Sequence, residues 1–213
     1  MNFSKEVFLN YPVIGIIRGI EEQMVEPLCT VIKSAGLKFV EITMNTKAAD
    51  TLIKKMNSLS EGRFCTGAGT VTNLDELHRA LDVGARFIVM PVNVPEVVAY
   101  CVKSNIPVFP GALTPQEVFN AWQAGATMVK VFPAKAMGPG YMKELKAPLN
   151  NIELLACGGI NAENVRNYID NGASGVAFGA GIFSVERMQK GDYATIEMQL
   201  KELLLNMGKG FKE

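Results

Sequence analysis

Eight short runs rich in β-branched residues alternate with stretches of helical spacing along the 213 residues, and this alternation predicts a (β/α)8 TIM barrel with a short extra helix at the N-terminus. Two observations favour a closed barrel over its rival, a doubly wound open sheet. The strand count is eight, and charged residues stand inside two of the strands. Glu41 shares a strand face with Phe39 and Thr43, and Lys130 shares one with Met128 and Phe132. A mid-strand charge that cannot reach water sideways is costly unless it points into a functional cavity.

The strands are read at Val13–Arg18, Phe39–Thr43, Phe64–Thr70, Phe87–Pro91, Pro107–Pro110, Met128–Phe132, Ile152–Cys157 and Gly175–Gly179. Helical spacing fills Met24–Ala35, Lys47–Met56, Leu74–Val83 and Gln116–Ala124 between them. Thr114-Pro115-Gln116-Glu117 combines a capping hydroxyl, proline at the first helical position and glutamate three residues after the cap. Asn73 with Glu76, and Asn93 with Glu96, follow the same spacing. Gly36, Gly84, Gly125 and Gly172 each precede an even-numbered strand, where a helix needs a left-handed terminating residue. Their separations of 48, 41 and 47 residues are each two βα units long. With no linker composition anywhere, residues 1–213 read as one domain.

Composition excludes several classes. Apolar residues make up 48% and charged residues 20%, which rules out a disordered chain. Lys+Arg and Asp+Glu both number 21, so no basic excess exists to draw nucleic acid or an anionic membrane. The longest apolar run, Pro12 to Ile17, is far short of the roughly 20 residues that span a bilayer. Met1 to Asn10 lacks a signal-peptide core. Four cysteines without a CxxC pair, and the lone His78, offer neither a disulfide framework nor a zinc set. The expectation is a cytoplasmic protein with no metal and no cofactor, whose partner is a small molecule.

Lys130 is the leading candidate for chemistry. It is flanked by apolar residues in Thr127-Met128-Val129-Lys130-Val131-Phe132-Pro133, and desolvation there favours a neutral, nucleophilic amine. The competing reading is a lysine that snorkels out of the barrel end. Glu41, in Val40-Glu41-Ile42-Thr43, is the candidate general acid/base; the competing reading is a structural ion pair with Lys130 or Arg18. Both lie near C-terminal strand ends, where barrel chemistry occurs. Gly158-Gly159 and Gly179-Ala180-Gly181 follow the last two strands, the usual place for a phosphate held by backbone N–H groups. Thr70 offers a hydroxyl at the barrel mouth, and Arg18 ends the first strand where it can hold an anion. Asn45 either contacts substrate or caps the next helix beside Thr46. Lys135 reads as a loop lysine, and His78 and Trp122 as helix surface or core.

Val40-Glu41-Ile42-Thr43, Gly67-Ala68-Gly69-Thr70-Val71, Lys130-Val131-Phe132-Pro133 and Gly158-Gly159-Ile160 together resemble the motifs of the bacterial 2-keto-3-deoxy-6-phosphogluconate (KDPG) and 4-hydroxy-2-oxoglutarate (KHG) aldolases, including the 6-phosphogalactonate relative. The resemblance runs from about Pro12 to Phe183 in the family's order. It implies a homotrimeric, metal-free class I aldolase without cofactor. Lys130 matches the Schiff-base lysine, Glu41 the general acid/base and Thr70 the residue that holds the pyruvate carboxylate. Pro91 and Phe132 match pocket-lining residues, while Gly158, Gly159, Gly179 and Ala180 fall at the distal phosphate. Three positions depart from the gluconate type: Asn45 stands in place of an arginine, Cys157 in place of a threonine, and Gly181 in place of a serine. The expected reaction is cleavage of a 2-keto-3-deoxy-6-phospho sugar acid to pyruvate and glyceraldehyde 3-phosphate, with 4-hydroxy-2-oxoglutarate as a further substrate. The alternatives are a phosphosugar isomerase or epimerase on the same barrel, and a sugar-phosphate-binding barrel without turnover.

Overall fold

The computed structural model describes residues 3–208, so the two N-terminal and five C-terminal residues of the expected 1–213 span lie outside the described residues. The helices are α1 (Lys5–Asn10), α2 (Val25–Ala35), α3 (Ala49–Leu59), α4 (Leu74–Asp82), α5 (Pro95–Lys103), α6 (Pro115–Gln123), α7 (Ala134–Met137), α8 (Gly140–Lys146), α9 (Val165–Asp170), α10 (Val185–Gln189) and α11 (Tyr193–Asn206). The strands are β1 (Val13–Ile17), β2 (Phe39–Thr43), β3 (Cys65–Gly69), β4 (Ile88–Val89), β5 (Val108–Phe109), β6 (Gly111–Ala112), β7 (Val129–Val131), β8 (Leu154–Cys157) and β9 (Gly175–Phe178). All pairings are parallel, in the order β5-β4-β3-β2-β1-β9-β8-β7-β6.

The two edges of that order, β5 and β6, are halves of one strand separated only by Pro110. Proline has no N–H to give a ladder, which breaks the strand here. Its carbonyl still accepts from Lys130 N at 2.9 Å, and Val108 O accepts from Thr127 N at 2.9 Å. The sheet therefore closes through this segment into a TIM-type barrel, with eight strands of which one is interrupted.

Local signals place most of the boundaries. Thr114 and Glu117 form the reciprocal capping box of α6, and Asn73 Oδ1 accepts from Glu76 N at the start of α4. Gly36, Gly84, Gly125 and Gly172 all adopt φ between +80° and +99°. Asn93 behaves differently from Asn73. Pro95 occupies the first position of α5 and makes Val94 the cap residue, so Asn93 is drawn inward and its buried Oδ1 has no protein partner. Lys47 is also outside a helix, because left-handed Ala48 (φ +57°) delays α3 to Ala49.

Two apolar layers hold the barrel. The larger one fills the space between strands and helices with Leu28, Ile32, Ile53, Val97 and Leu200, among others. The smaller one fills the lower barrel interior with Phe39, Phe87, Phe109, Met128 and Leu155, closed from below by Phe8 of α1. Phe8 meets Phe39 and Phe109 edge-on at centroid separations of 5.1 and 5.2 Å, a favoured aromatic geometry.

The upper interior is built differently. Glu41 lies in register with Gly67, and Lys130 with Gly111, so each charged residue has a glycine beside it on the next strand. At Gly67 a Cβ would stand 2.6 Å from the Phe87 ring, and at Gly69 it would run into the Glu41 carboxyl group. At Gly111 it would collide with the Pro91 carbonyl, a backbone group that cannot swing away. Gly111→Ala is therefore expected to destabilise the fold by at least about 1–3 kcal/mol, the usual cost of overpacking, because no side-chain rotation relieves the clash. Urea unfolding of the two proteins measures this; an unchanged midpoint would show that the strand break at Pro110 absorbs the methyl group.

Candidate active site

Glu41 and Lys130 rise from β2 and β7 into the same upper interior, with relative exposures of 1% and 6%. They do not pair: among the described residues neither Lys130 nor Arg18 forms an ion pair with Glu41, and Glu41 Oε2 is buried without a hydrogen-bond partner. The structural ion pair weighed from the sequence is absent. Burial raises the Glu41 carboxyl from its ordinary 4.5 to about 7, against the opposing pull of Lys130 and then Arg18. Lys130 Nζ lies 5.3 Å from the centroid of the Phe132 ring, and its charge reaches the Cys157 thiol. Burial pushes the Cys157 thiol up, and the nearby lysine acts in the opposite direction.

Above these groups a cavity of about 460 Å³ opens at the C-terminal ends of the strands. Arg18 and Thr70 line one side, where Arg18 Nη2 donates to Thr70 Oγ1 at 3.2 Å. Thr70 holds φ +55°, a left-handed conformation that a β-branched residue rarely adopts and that turns its hydroxyl to the mouth at some cost in strain. The opposite side is backbone. Gly158 and Gly159 follow β8 with φ +107° and +74°, a conformation that favours glycine, and Asn164 Nδ2 donates to Gly159 O at 2.8 Å. Gly179 O accepts from both Ile182 N and Phe183 N and so fixes the turn after β9. The N–H groups of Gly159, Ala180 and Gly181 donate to no protein acceptor among the described residues, and all three residues line the cavity, which leaves these donors available to an anion there.

The predicted residues converge with one exception. Arg18, Thr70, Pro91, Lys130, Phe132, Gly158, Gly159, Gly179 and Ala180 all line the cavity, and Glu41 lies in the barrel interior, where the charges of Lys130 and Arg18 both reach it. Asn45 does not line it; its exposed side chain stands on the turn after β2, and it does not cap α3 either. Thr46 instead turns inward, accepting from Gly19 N at 3.0 Å and contacting Thr43 Oγ1 at 2.9 Å. Lys135 is a correction of the opposite kind. It belongs to α7 and lines the cavity, because the helical turn after Pro133 carries it back over the mouth. Ile160 of the glycine motif and Asn161, which the sequence does not single out, also line the wall beyond the glycine pair.

A family profile described as "Aldolase: KDPG and KHG aldolase" matches residues 5–199. The chain belongs to that family. This aldehyde-lyase is 34% identical over 181 residues to the 2-dehydro-3-deoxy-6-phosphogalactonate aldolase of Escherichia coli K12, covering 83% of this chain and 88% of the relative. A solved structure described as native KDPGal superposes with a TM-score of 0.86 at 29% identity, covering 97% of both chains. The KDPG aldolase of Legionella pneumophila, solved with pyruvate captured at low pH as a covalent carbinolamine, superposes with a TM-score of 0.85 at 26% identity, covering 93% of this chain and 97% of that one.

In the aldolase, the raised Glu41 carboxyl has a consequence for stability. Between the unfolded value near 4.5 and the folded value near 7, the unfolded chain releases this proton while the folded chain keeps it. The folded state then binds more protons, so stability falls as pH rises through that window and is level above it. The loss attributable to Glu41 is on the order of 3 kcal/mol. Glu41→Gln cannot titrate, so its stability relative to the parent should climb from pH 4.5 to pH 7 and then plateau. Urea midpoints measured across that range test this; a constant difference would mean that Glu41 is already solvated in the folded protein.

Proposed function

We propose that the chain cleaves 2-keto-3-deoxy-6-phospho sugar acids through an imine on Lys130. The observation that carries the reading is a buried lysine beside a buried, unpaired carboxylate whose proton affinity is set near neutrality. Family membership and the pyruvate adduct of the Legionella relative support it.

In this mechanism the Lys130 amine attacks the C2 ketone, and loss of water from the carbinolamine gives a protonated imine. The cation draws electrons from the C3–C4 bond as Glu41, directly or through one water, takes the C4 hydroxyl proton. Glyceraldehyde 3-phosphate leaves, the enamine gains a proton at C3, and hydrolysis frees pyruvate and Lys130. A carboxyl titrating near 7 serves in both directions, as base during cleavage and as acid when the enamine is protonated. Thr70 and Arg18 are placed to receive the pyruvate carboxylate, and the free N–H groups of Gly159, Ala180 and Gly181 to receive the phosphate.

The 6-phosphogalactonate acid is the first substrate to assay, since the Escherichia coli relative is named for it, with the gluconate epimer and 4-hydroxy-2-oxoglutarate beside it. An isomerase or epimerase leaves a nucleophilic lysine without a covalent task and is not favoured by the family match. We place the enzyme in the cytoplasm as a homotrimer. Val92 and Phe132, 56% and 40% exposed at the barrel mouth, offer apolar surface for subunit contact. Among the described residues no helix is long and apolar enough to cross a membrane. Sedimentation should return about three times the 23.1 kDa chain mass.

Incubation with pyruvate and borohydride should fix a reduced pyruvyl group on Lys130, located by peptide mass spectrometry; labelling of Lys135 instead would reassign the nucleophile. Lys130→Arg should abolish turnover, because guanidinium stays protonated and forms no imine. Turnover should persist in full in EDTA, since no group of three or more metal-ligating side chains gathers among the described residues. Loss on chelation with recovery on adding a divalent ion would point to a metal-assisted aldol cleavage.

A further inference from the structure

Arg18, Lys130 and Lys135 line the cavity, and no carboxylate lines it with them. Lys130 and Arg18 have tasks at the keto-acid end. Lys135 stands at the glycine turn after β8 and shares the cavity with the glycines after β9. Its aliphatic stem lies flat across Gly159: a Cβ built there would stand 2.8 Å from Lys135 Cδ, 3.0 Å from Cβ and 3.1 Å from Cγ. Glycine at 159 thus serves two purposes, a left-handed backbone (φ +74°) and room for the lysine stem above it. The Lys135 ammonium forms no hydrogen bond or ion pair with any described residue. A cation packed by its stem against a nest of free N–H donors, with no counter-charge of its own, is complementary to a dianion seated in that nest.

Resting on the aldolase reading above, we propose that Lys135 is a specificity-determining residue that selects substrates carrying the distal phosphate. Its ammonium closes over the phosphate held by Gly159, Ala180 and Gly181, giving the charge-assisted bond that no side-chain hydroxyl at Gly181 can give. The contact forms at an exposed position, so ionic strength screens it.

The test compares kcat/KM for a 2-keto-3-deoxy sugar acid with and without its 6-phosphate, in the parent protein, Lys135→Met and Lys135→Arg. The ratio of phosphorylated to unphosphorylated substrate should fall about tenfold in Lys135→Met, mainly through KM for the phosphorylated compound. Lys135→Arg should keep most of it. Raising the salt should shrink the ratio in the parent and leave it nearly level in Lys135→Met. An unaltered ratio in Lys135→Met, or an equal loss on both substrates, would overturn the proposal. Pyruvate trapping on Lys130 in the parent protein separates this from the reading beneath it: trapping with an unaltered ratio removes only the role of Lys135, whereas no trapping removes the imine mechanism and this proposal with it.

Discussion

Everything in this protein depends on how the volume inside the barrel is divided. The lower half is filled by Phe39, Phe87, Phe109 and Met128 and closed by Phe8, so the strands are fixed by dense apolar packing where no chemistry occurs. The upper half has glycines at Gly67, Gly69 and Gly111, each on a strand beside one that carries a charge, and they make room for the Phe87 ring, the Glu41 carboxyl and the Pro91 carbonyl. A methyl group at any of the three would strike a ring, a carboxyl or the backbone.

Into that upper half the fold places two opposite charges and keeps them apart. An ion pair would occupy both side chains and hold the carboxylate ionised. Unpaired, Glu41 retains an orphaned oxygen and a proton affinity near neutral pH, which destabilises the folded state above the acidic range. The strained backbone of Thr70 is a second local cost at the same mouth. Such costs are concentrated where substrate binds, and the two apolar layers around the strands offset them.

Much of this was legible from residue order. Period and glycine spacing marked the strands and helix ends, and polar residues in apolar strands marked Lys130 and Glu41 because burial of such groups demands a reason. What escaped depended on geometry that local patterns do not encode. The break at Pro110 splits one strand because proline cannot donate to the ladder, yet its carbonyl keeps the barrel closed. Asn93 matched a capping pattern, but Pro95 moved the cap one residue on. Lys135 read as a loop residue because a four-residue helix has too few turns for a periodic signal, and only the turn after Pro133 directs it back over Gly159. Asn45 reads as either a substrate contact or a helix cap, whereas it is exposed on the turn after β2 and Thr46 is the residue turned inward.

The central claim is that a buried lysine and a buried carboxyl, kept apart, perform respectively imine formation and proton transfer. Exchange of the pyruvate methyl protons in D2O, followed by proton NMR, isolates both steps without cleavage of a sugar acid, because in this mechanism enzymatic exchange of the methyl group proceeds through imine and enamine. The account predicts rapid exchange by the parent protein with a pH inflection near 7, none above background for Lys130→Arg, and exchange slowed roughly 10²–10⁴-fold for Glu41→Gln. Exchange that persists without Lys130, or that is indifferent to Glu41, would contradict it.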